Sequence, residues 1–324
     1  MNRRGILCAA LSAAFALAVT PAVAQLGEKP IRIVFPYAAG GAGDALARLL
    51  AEELRKGVNR PVIVENKTGA AGRLGVSEVV KAEKDGDTIL LTPIAPTAVH
   101  QHVFDDLPYN PDKDLVPVTQ ISKFEFGIGV GPEVPAKNLK ELVAWMKANP
   151  TKTSFGSPGA GALPHFFGIL FGKAAGVEMV HVGYRGSAIA LADVLGGQIP
   201  MIVTTTSDLL GAHKSGKIRI LATSDSERSP LVPDVPTFKE SGYDIVGTSW
   251  YGIYAPAGTP DAIVQRYAKI FSESLKKPEL KKRLLELGLY ATGSTPEAFA
   301  KIHKTDSAFW AEAVKLSGFK AGKQ

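Results

Sequence analysis

The apolar positions of this chain alternate between two periods. Short β-branched runs at Ile31–Phe35, Val62–Glu65, Thr88–Thr92, Phe126–Val130, Glu178–Val182, Ile199–Val203 and Ile218–Thr223 predict strands. Helical spacing separates most of them. Leu46, Leu49, Leu50 and Leu54 fall on one face, as do Leu139, Leu142, Val143 and Met146. Asn138 with Glu141 three residues on predicts a capped start for the second of these helices, and Asn149-Pro150 its end. Thr259-Pro260 and Thr295-Pro296 each predict a cap residue before a first-turn proline, followed by the apolar faces Ile263, Tyr267, Ile270 and Phe299, Ile302, Phe309. Strand–helix alternation predicts an α/β protein with parallel sheets covered by helices. No internal repeat and no Pro/Gly/Ser tether divides the chain, so two domains would be joined by crossing strands.

The first 24 residues have a different pattern. Arg3 and Arg4 precede an uncharged apolar run from Gly5 to Val19, followed by Pro21 and the small-residue triplet Ala22-Val23-Ala24. This predicts a secretory leader cleaved after Ala24. Its loss removes two arginines and the only cysteine, Cys8. No later run reaches the ~18 apolar residues of a membrane helix, so a soluble exported protein with no membrane span is expected.

At 324 residues the chain has room for two domains, and 45% hydrophobic with 21% charged residues excludes disorder and coiled coil. One cysteine excludes a disulfide framework and a cysteine-ligated metal centre. The densest basic cluster, Lys276, Lys277, Lys281, Lys282 and Arg283, shares a helical pattern with Leu280, Leu284 and Leu285. It has no interleaved aromatics and reads as a solvated face, so no nucleic-acid partner is expected.

Candidate chemistry sits in three glycine-bearing loops, each running from a strand into a helix. They are Phe35-Pro36-Tyr37-Ala38-Ala39-Gly40-Gly41-Ala42-Gly43-Asp44, Phe155-Gly156-Ser157-Pro158-Gly159-Ala160-Gly161-Ala162 and Gly183-Tyr184-Arg185-Gly186-Ser187. A tight strand-to-helix turn would account for any one of them. Three in one chain point to an anion site lined by backbone N–H groups, because glycine admits close approach and helix N-termini carry unpaired donors. Enzyme templates are incomplete. No loop ends Gly-Lys-Ser/Thr, Pro164 interrupts a dinucleotide fingerprint at Gly159-Ala160-Gly161, and Phe155 replaces the first glycine of a nucleophile elbow around Ser157. His100-Gln101-His102 lacks a carboxylate partner motif, so no metal is expected.

The ordered set of motifs resembles the Bug family, the extracytoplasmic receptors of tripartite tricarboxylate transporters. It comprises Pro36-Tyr37-Ala38-Ala39-Gly40-Gly41 with Asp44, Val64-Glu65-Asn66-Lys67, Asp85-Gly86-Asp87-Thr88, Tyr109-Asn110-Pro111, Gly156-Ser157 with Gly161 and His165, and His181-Val182-Gly183-Tyr184-Arg185-Gly186. Leu195-Gly196-Gly197-Gln198, Pro233-Asp234-Val235-Pro236-Thr237 and Ser249-Trp250-Tyr251-Gly252 through Pro260 complete it. The resemblance implies a two-domain periplasmic binding protein of type II, with a ligand cleft between the domains. It assigns residues 25–124 plus 225–324 to domain 1 and residues 125–224 to domain 2. It implies a periplasmic monomer without cofactor or catalysis, which captures a small carboxylate and delivers it to membrane permease subunits. Tyr37, Ala38, Gly40, Gly41 and Asp44 would form one wall, with Asp44 organising its loop. Ser157, Gly161, Ala162, His165 and Tyr184 would form the other, joined by the hydroxyls of Thr204 and Thr205.

Three departures from the family pattern bear on ligand choice. Ala38-Ala39 stands for Pro-Pro, Ala162 for a hydroxyl residue, and Val203-Thr204 for Phe-Asp. Loss of that acid is expected to disfavour ligands with an amino group. The Ser157→Ala change is expected to weaken binding roughly ten- to a hundredfold. A β-branched residue at Gly41 is expected to meet forbidden dihedrals. Two other readings remain: a secreted hydrolase using Ser157 and His165, and a ligand sensor for a signalling partner.

Overall fold

The computed structural model describes residues 29–317. The leader expected over residues 1–24 lies outside the described residues. The strands are β1 Ile31–Phe35, β2 Val62–Asn66, β3 Thr88–Pro93, β4 Leu115–Val130, β5 Ser154–Ser157, β6 Val180–Gly183, β7 Met201–Thr205, β8 Arg219–Thr223, β9 Thr248–Pro256 and β10 Tyr290–Ala291. The helices are α1 Ala42–Val58, α2 Arg73–Val80, the single turn α3 Pro111–Asp114, α4 Leu139–Ala148, α5 Leu163–Ala175, α6 Ser187–Leu195, α7 Thr206–Lys214, α8 Asp261–Ser274, α9 Pro278–Glu286 and α10 Pro296–Ser317.

Strand β4 organises the molecule. The strand order is β2-β1-β3-β9-β4-β7-β5-β6, and β8 and β10 also pair with β4. From Leu115 to Glu125, β4 pairs antiparallel with β9; from Phe126 to Val130 it pairs antiparallel with β7, and over Gly127–Val130 also with β8. One strand of 16 residues therefore belongs to both halves of the sheet. Pairing is parallel within β2-β1-β3 and within β7-β5-β6, as strand–helix alternation predicts. It is antiparallel where β9 and β4 meet β3, each other and the second half, which corrects the expectation of parallel sheets alone.

Local sequence explains most of the helices. Leu46, Leu50 and Leu54 are wholly buried along α1, which stops at Asn59 in the left-handed conformation. Before α4, Asn138 Oδ1 accepts the Glu141 N–H at 2.9 Å while Glu141 Oε2 accepts the Lys137 N–H, closing a reciprocal cap. Thr295 caps α10 through the Ala298 N–H at 3.2 Å. Thr259 does not cap α8: its hydroxyl donates to the Pro256 carbonyl at 2.8 Å. One apolar core runs through both halves of the sheet. A smaller one joins Ala190 and Val194 of α6 to Ile202, Leu209 and Ile220.

Candidate functional site

The first loop is built around Asp44. Its carboxylate accepts the Gly40 N–H at 3.2 Å, the Asn66 amide at 3.0 Å and the Arg48 guanidinium at 3.1 Å. Burial works against the charge, but the bonds from Arg48, Asn66 and Gly40 outweigh it and hold the carboxyl below its usual range. Asn66 also donates to the Tyr37 carbonyl at 3.0 Å, and Tyr37 donates its hydroxyl to the Ala71 carbonyl at 3.1 Å. Gly40 has φ +98°, where a side chain is strained. Gly41 is extended at φ −91°, ψ 174°, so the dihedral argument expected at Gly41 belongs to Gly40.

In the second loop, Ser157 is completely buried. Its hydroxyl shares a 2.7 Å hydrogen bond with His181 Nε2 and donates to the Gly159 carbonyl at 3.2 Å. His181 stacks on His165 with ring centroids 3.8 Å apart, and His165 Nδ1 accepts the Gly161 N–H at 3.1 Å. Burial pushes His165 down to about 3, with His181 adding to it, and His181 down to about 4. Both rings are therefore neutral at pH 7. The partner of Ser157 is His181 rather than His165, and among the described residues no acid hydrogen-bonds His181.

The third loop and the end of β7 complete the constellation. The Tyr184 hydroxyl donates to Asp193 at 2.8 Å. The Thr204 hydroxyl meets Ser187 Oγ at 2.8 Å and donates to Asp208 Oδ2 at 3.2 Å, while Thr205 caps α7 through the Asp208 N–H. Two of the hydrogen bonds that join the halves tie the first loop and the start of α1 to the other side. The Ala38 N–H donates to the Arg185 carbonyl at 3.2 Å, and the Ala42 N–H to Asp208 Oδ1 at 2.8 Å.

Between the halves lies a cavity open to solvent, about 560 Å³ when the solvent at its mouth is counted. Of the expected site residues, Tyr37, Ala38, Gly41, Ala162 and Thr205 line it. Asp44, Ser157, Gly161, His165 and Thr204 stand behind that wall and shape it through the bonds just given, while Gly40 is exposed on an adjoining groove beside Ala188. Tyr184 opens instead on a neighbouring groove with Arg73 and Phe104. Residue-by-residue reading missed Phe124 and Phe126 of β4, Asp208 of α7, and Ser249, although Ser249 and Tyr251 begin a family motif. Position 204 carries no acid, but a carboxylate stands four residues later at Asp208 and accepts the Thr204 hydroxyl.

Four helices present their N-terminal ends to this cavity. Gly41 and Gly43 line it from α1, Ala162 and Leu163 from α5, Gly186 and Ser187 from α6, and Thr205 from α7. Each end carries roughly half a positive charge and N–H groups without intrahelical acceptors. No lysine or arginine lines the cavity among the described residues. The Ser249 hydroxyl lies on its wall, 2% exposed, and has no hydrogen-bond partner. A polar atom buried without a partner costs ~1–3 kcal/mol, which a bound polar ligand would relieve.

Comparison with known proteins agrees with this architecture. A model of the tripartite tricarboxylate transporter family receptor matches residues 46–318. Protein BugT of Bordetella pertussis is 31% identical over 294 residues, covering 90% of each chain. The solved periplasmic binding protein BugD is 33% identical with a TM-score of 0.86, over 91% of this chain and 99% of its own. The R. palustris protein Rpa4515, solved with adipate, is 27% identical with a TM-score of 0.87, over 90% of this chain and 98% of its own. The fold is that of a two-domain periplasmic binding protein.

Proposed function

Because this chain belongs to the family of tripartite tricarboxylate transporter receptors, whose members are periplasmic solute receptors, we propose that it captures one small organic carboxylate and delivers it to membrane permease subunits. The observation that carries the reading is the convergence of four helix N-termini on one cavity whose wall, among the described residues, has no lysine or arginine. Such a site attracts an anion through oriented amides, each terminus contributing ~0.3–1 kcal/mol and up to about 2 when partly buried. A relative solved with adipate supports the ligand class.

The division into residues 25–124 plus 225–324 and residues 125–224 is supported by the change of partner in β4 between Glu125 and Phe126. Tyr37, Ala38, Gly41, Ala162 and Thr205 would touch the ligand. Gly40, Asp44, Ser157, Gly161, His165 and Thr204 would hold the loops in place, and Tyr184 would steady the third loop. Export to the periplasm, with a mature chain starting at Gln25, fits the leader pattern. Transport, rather than sensing, is the role that the family description favours.

Titration calorimetry against mono-, di- and tricarboxylates tests the reading. One saturable site per chain, without turnover, is the expected result. Steady hydrolysis of an ester or amide, abolished by Ser157→Ala, would replace it with the hydrolase. The neutral, acid-free Ser157–His181 pair argues against that outcome, since a ring held at about 4 is a weak general base at pH 7.

A further inference from the structure

Asp208 occupies a place that a ligand carboxylate would take. Its Oδ1 accepts the Ala42 N–H at 2.8 Å, in the first turn of α1, although Asp208 belongs to α7 on the other side of the cavity. Its Oδ2 accepts the Thr204 hydroxyl at 3.2 Å. The ideal position of a Cβ at Gly41 would lie 3.4 Å from Oδ1, so the carboxylate lies against the start of α1. The carboxylate lines the cavity and is the only acidic side chain to do so among the described residues. It brings a fixed negative charge to the α1 end of the site.

The rest of the cavity divides in two. At the α5 and α6 ends, Leu163 and Ser187 line the wall from first turns whose N–H groups lack intrahelical acceptors. Towards β1 and β4 the wall is apolar, with Phe35, Phe124 and Phe126 beside the ring of Tyr251. The unpartnered Ser249 hydroxyl is a further polar group on this wall.

We infer that Asp208 is a specificity-determining residue that serves as a built-in second carboxylate, so that this receptor takes a monocarboxylate with an apolar body and rejects a dicarboxylate of the same length. The inference rests on the carboxylate reading of the cavity. A second ligand carboxylate at the α1 end would meet Asp208 with no cation to separate the two charges, and like charges at contact repel strongly in a partly dehydrated site. The four helix ends then have one chain carboxylate and one ligand carboxylate to serve. An apolar tail fits the phenylalanine wall, whereas a second charge there would lose its hydration.

Matched pairs test this: butanoate with succinate, hexanoate with adipate, and benzoate with terephthalate, each titrated into wild type, Asp208→Asn and Asp208→Ala. 6-Aminohexanoate is added as a cationic control. Wild type should prefer the monocarboxylate of at least one pair by tenfold or more. Asp208→Ala should shrink or reverse that preference at least tenfold by freeing the Ala42 N–H and removing the charge. Asp208→Asn, which keeps the shape, should move it in the same direction, and circular dichroism should report an unchanged fold for at least one variant. Equal or tighter binding of the dicarboxylates by wild type would overturn the inference and leave the receptor reading standing. So would a ratio unchanged in both variants, or tighter binding of 6-aminohexanoate than of hexanoate. If no carboxylate of any class binds to wild type, the receptor reading itself falls, and this inference with it.

Discussion

The Ser157 hydroxyl and the His181 ring meet at 2.7 Å across neighbouring parallel strands, β5 and β6, beneath the start of α5. The ring then stacks on His165, which holds the Gly161 N–H. A serine chosen from sequence as a ligand contact is thereby a buried fastener of the loop that lines the cavity.

Ser157→Ala is therefore expected to act first on stability. It strands His181 Nε2 in a buried setting, at a cost of ~1–3 kcal/mol. Urea denaturation should show a lower midpoint with an unchanged slope. A midpoint identical to wild type would mean that the bond contributes nothing net.

Acid should weaken the fold before the carboxylates titrate. Burial pushes His100 and His165 down to about 3 and His181 down to about 4, against an ordinary value of about 6.5. The unfolded chain then binds more protons in that window, so stability is full above about pH 6.5 and is lost as the pH falls towards 4. Each ring contributes a slope of up to ~1.4 kcal/mol per pH unit. Thermal melts from pH 8 to pH 4 should show the decline, and His181→Gln should make it shallower. A flat profile down to pH 5 contradicts this assignment.

Glu125 should act with the opposite sign. Its side chain is 2% exposed, its Oε1 has no partner, and burial raises its pKa despite the nearby Ser229 and Thr206 hydroxyls. The folded state favours the protonated acid, so its contribution is present at low pH and lost as the pH rises through its folded pKa. Glu125→Gln should raise the melting temperature at pH 8 and change it little at pH 4. A greater loss at pH 8 than at pH 4 would show that the charge is stabilising after all.

The same glycine-to-alanine change should have opposite effects at two helix positions. In α7, a Cβ at Gly211 would meet nothing within 4 Å, and Gly211→Ala should gain ~0.5–1 kcal/mol from backbone entropy. In α5, a Cβ at Gly168 would lie 2.3 Å from the Phe155 ring. There the same gain is outweighed by overpacking, typically ~1–3 kcal/mol. Two denaturation curves decide it, and equal shifts in one direction would refute the contrast.

Where side-chain period follows burial, the chain could be read directly. Strands β1, β3 and β8 and the buried face of α1 lie close to where their patterns put them. The first half of β4 escaped because Thr119, Gln120, Ser122 and Glu125 are polar yet buried, so the run does not look like a strand. Their burial depends on a distant loop: Thr119 donates to the Ser294 carbonyl at 2.8 Å, and Ser294 Oγ accepts the Gln120 N–H at 2.9 Å. In α6, the large apolar residues Ile189 and Leu195 are exposed, whereas Ala190 and Val194 pack inward. Small residues carry little hydrophobic signal, but only they fit where this helix lies close to the sheet. At the site, the loops were legible because glycine marks them. Asp208 was not, since its partner Ala42 is 166 residues away and nothing local distinguishes it from any acid in a helix's first turn.

The sharing of β4 between the halves has a consequence for how the chain can be cut and joined. A fragment ending near residue 125 would carry half of a ladder and leave the other half as a bare edge, with rows of unpaired N–H and C=O groups open to other chains. Neither half is a portable module, and swapping one between relatives would require β4 and β9 to travel together. Any rotation of one half against the other would likewise have to twist hydrogen-bonded strands, since β4 passes from one ladder to the next without a break.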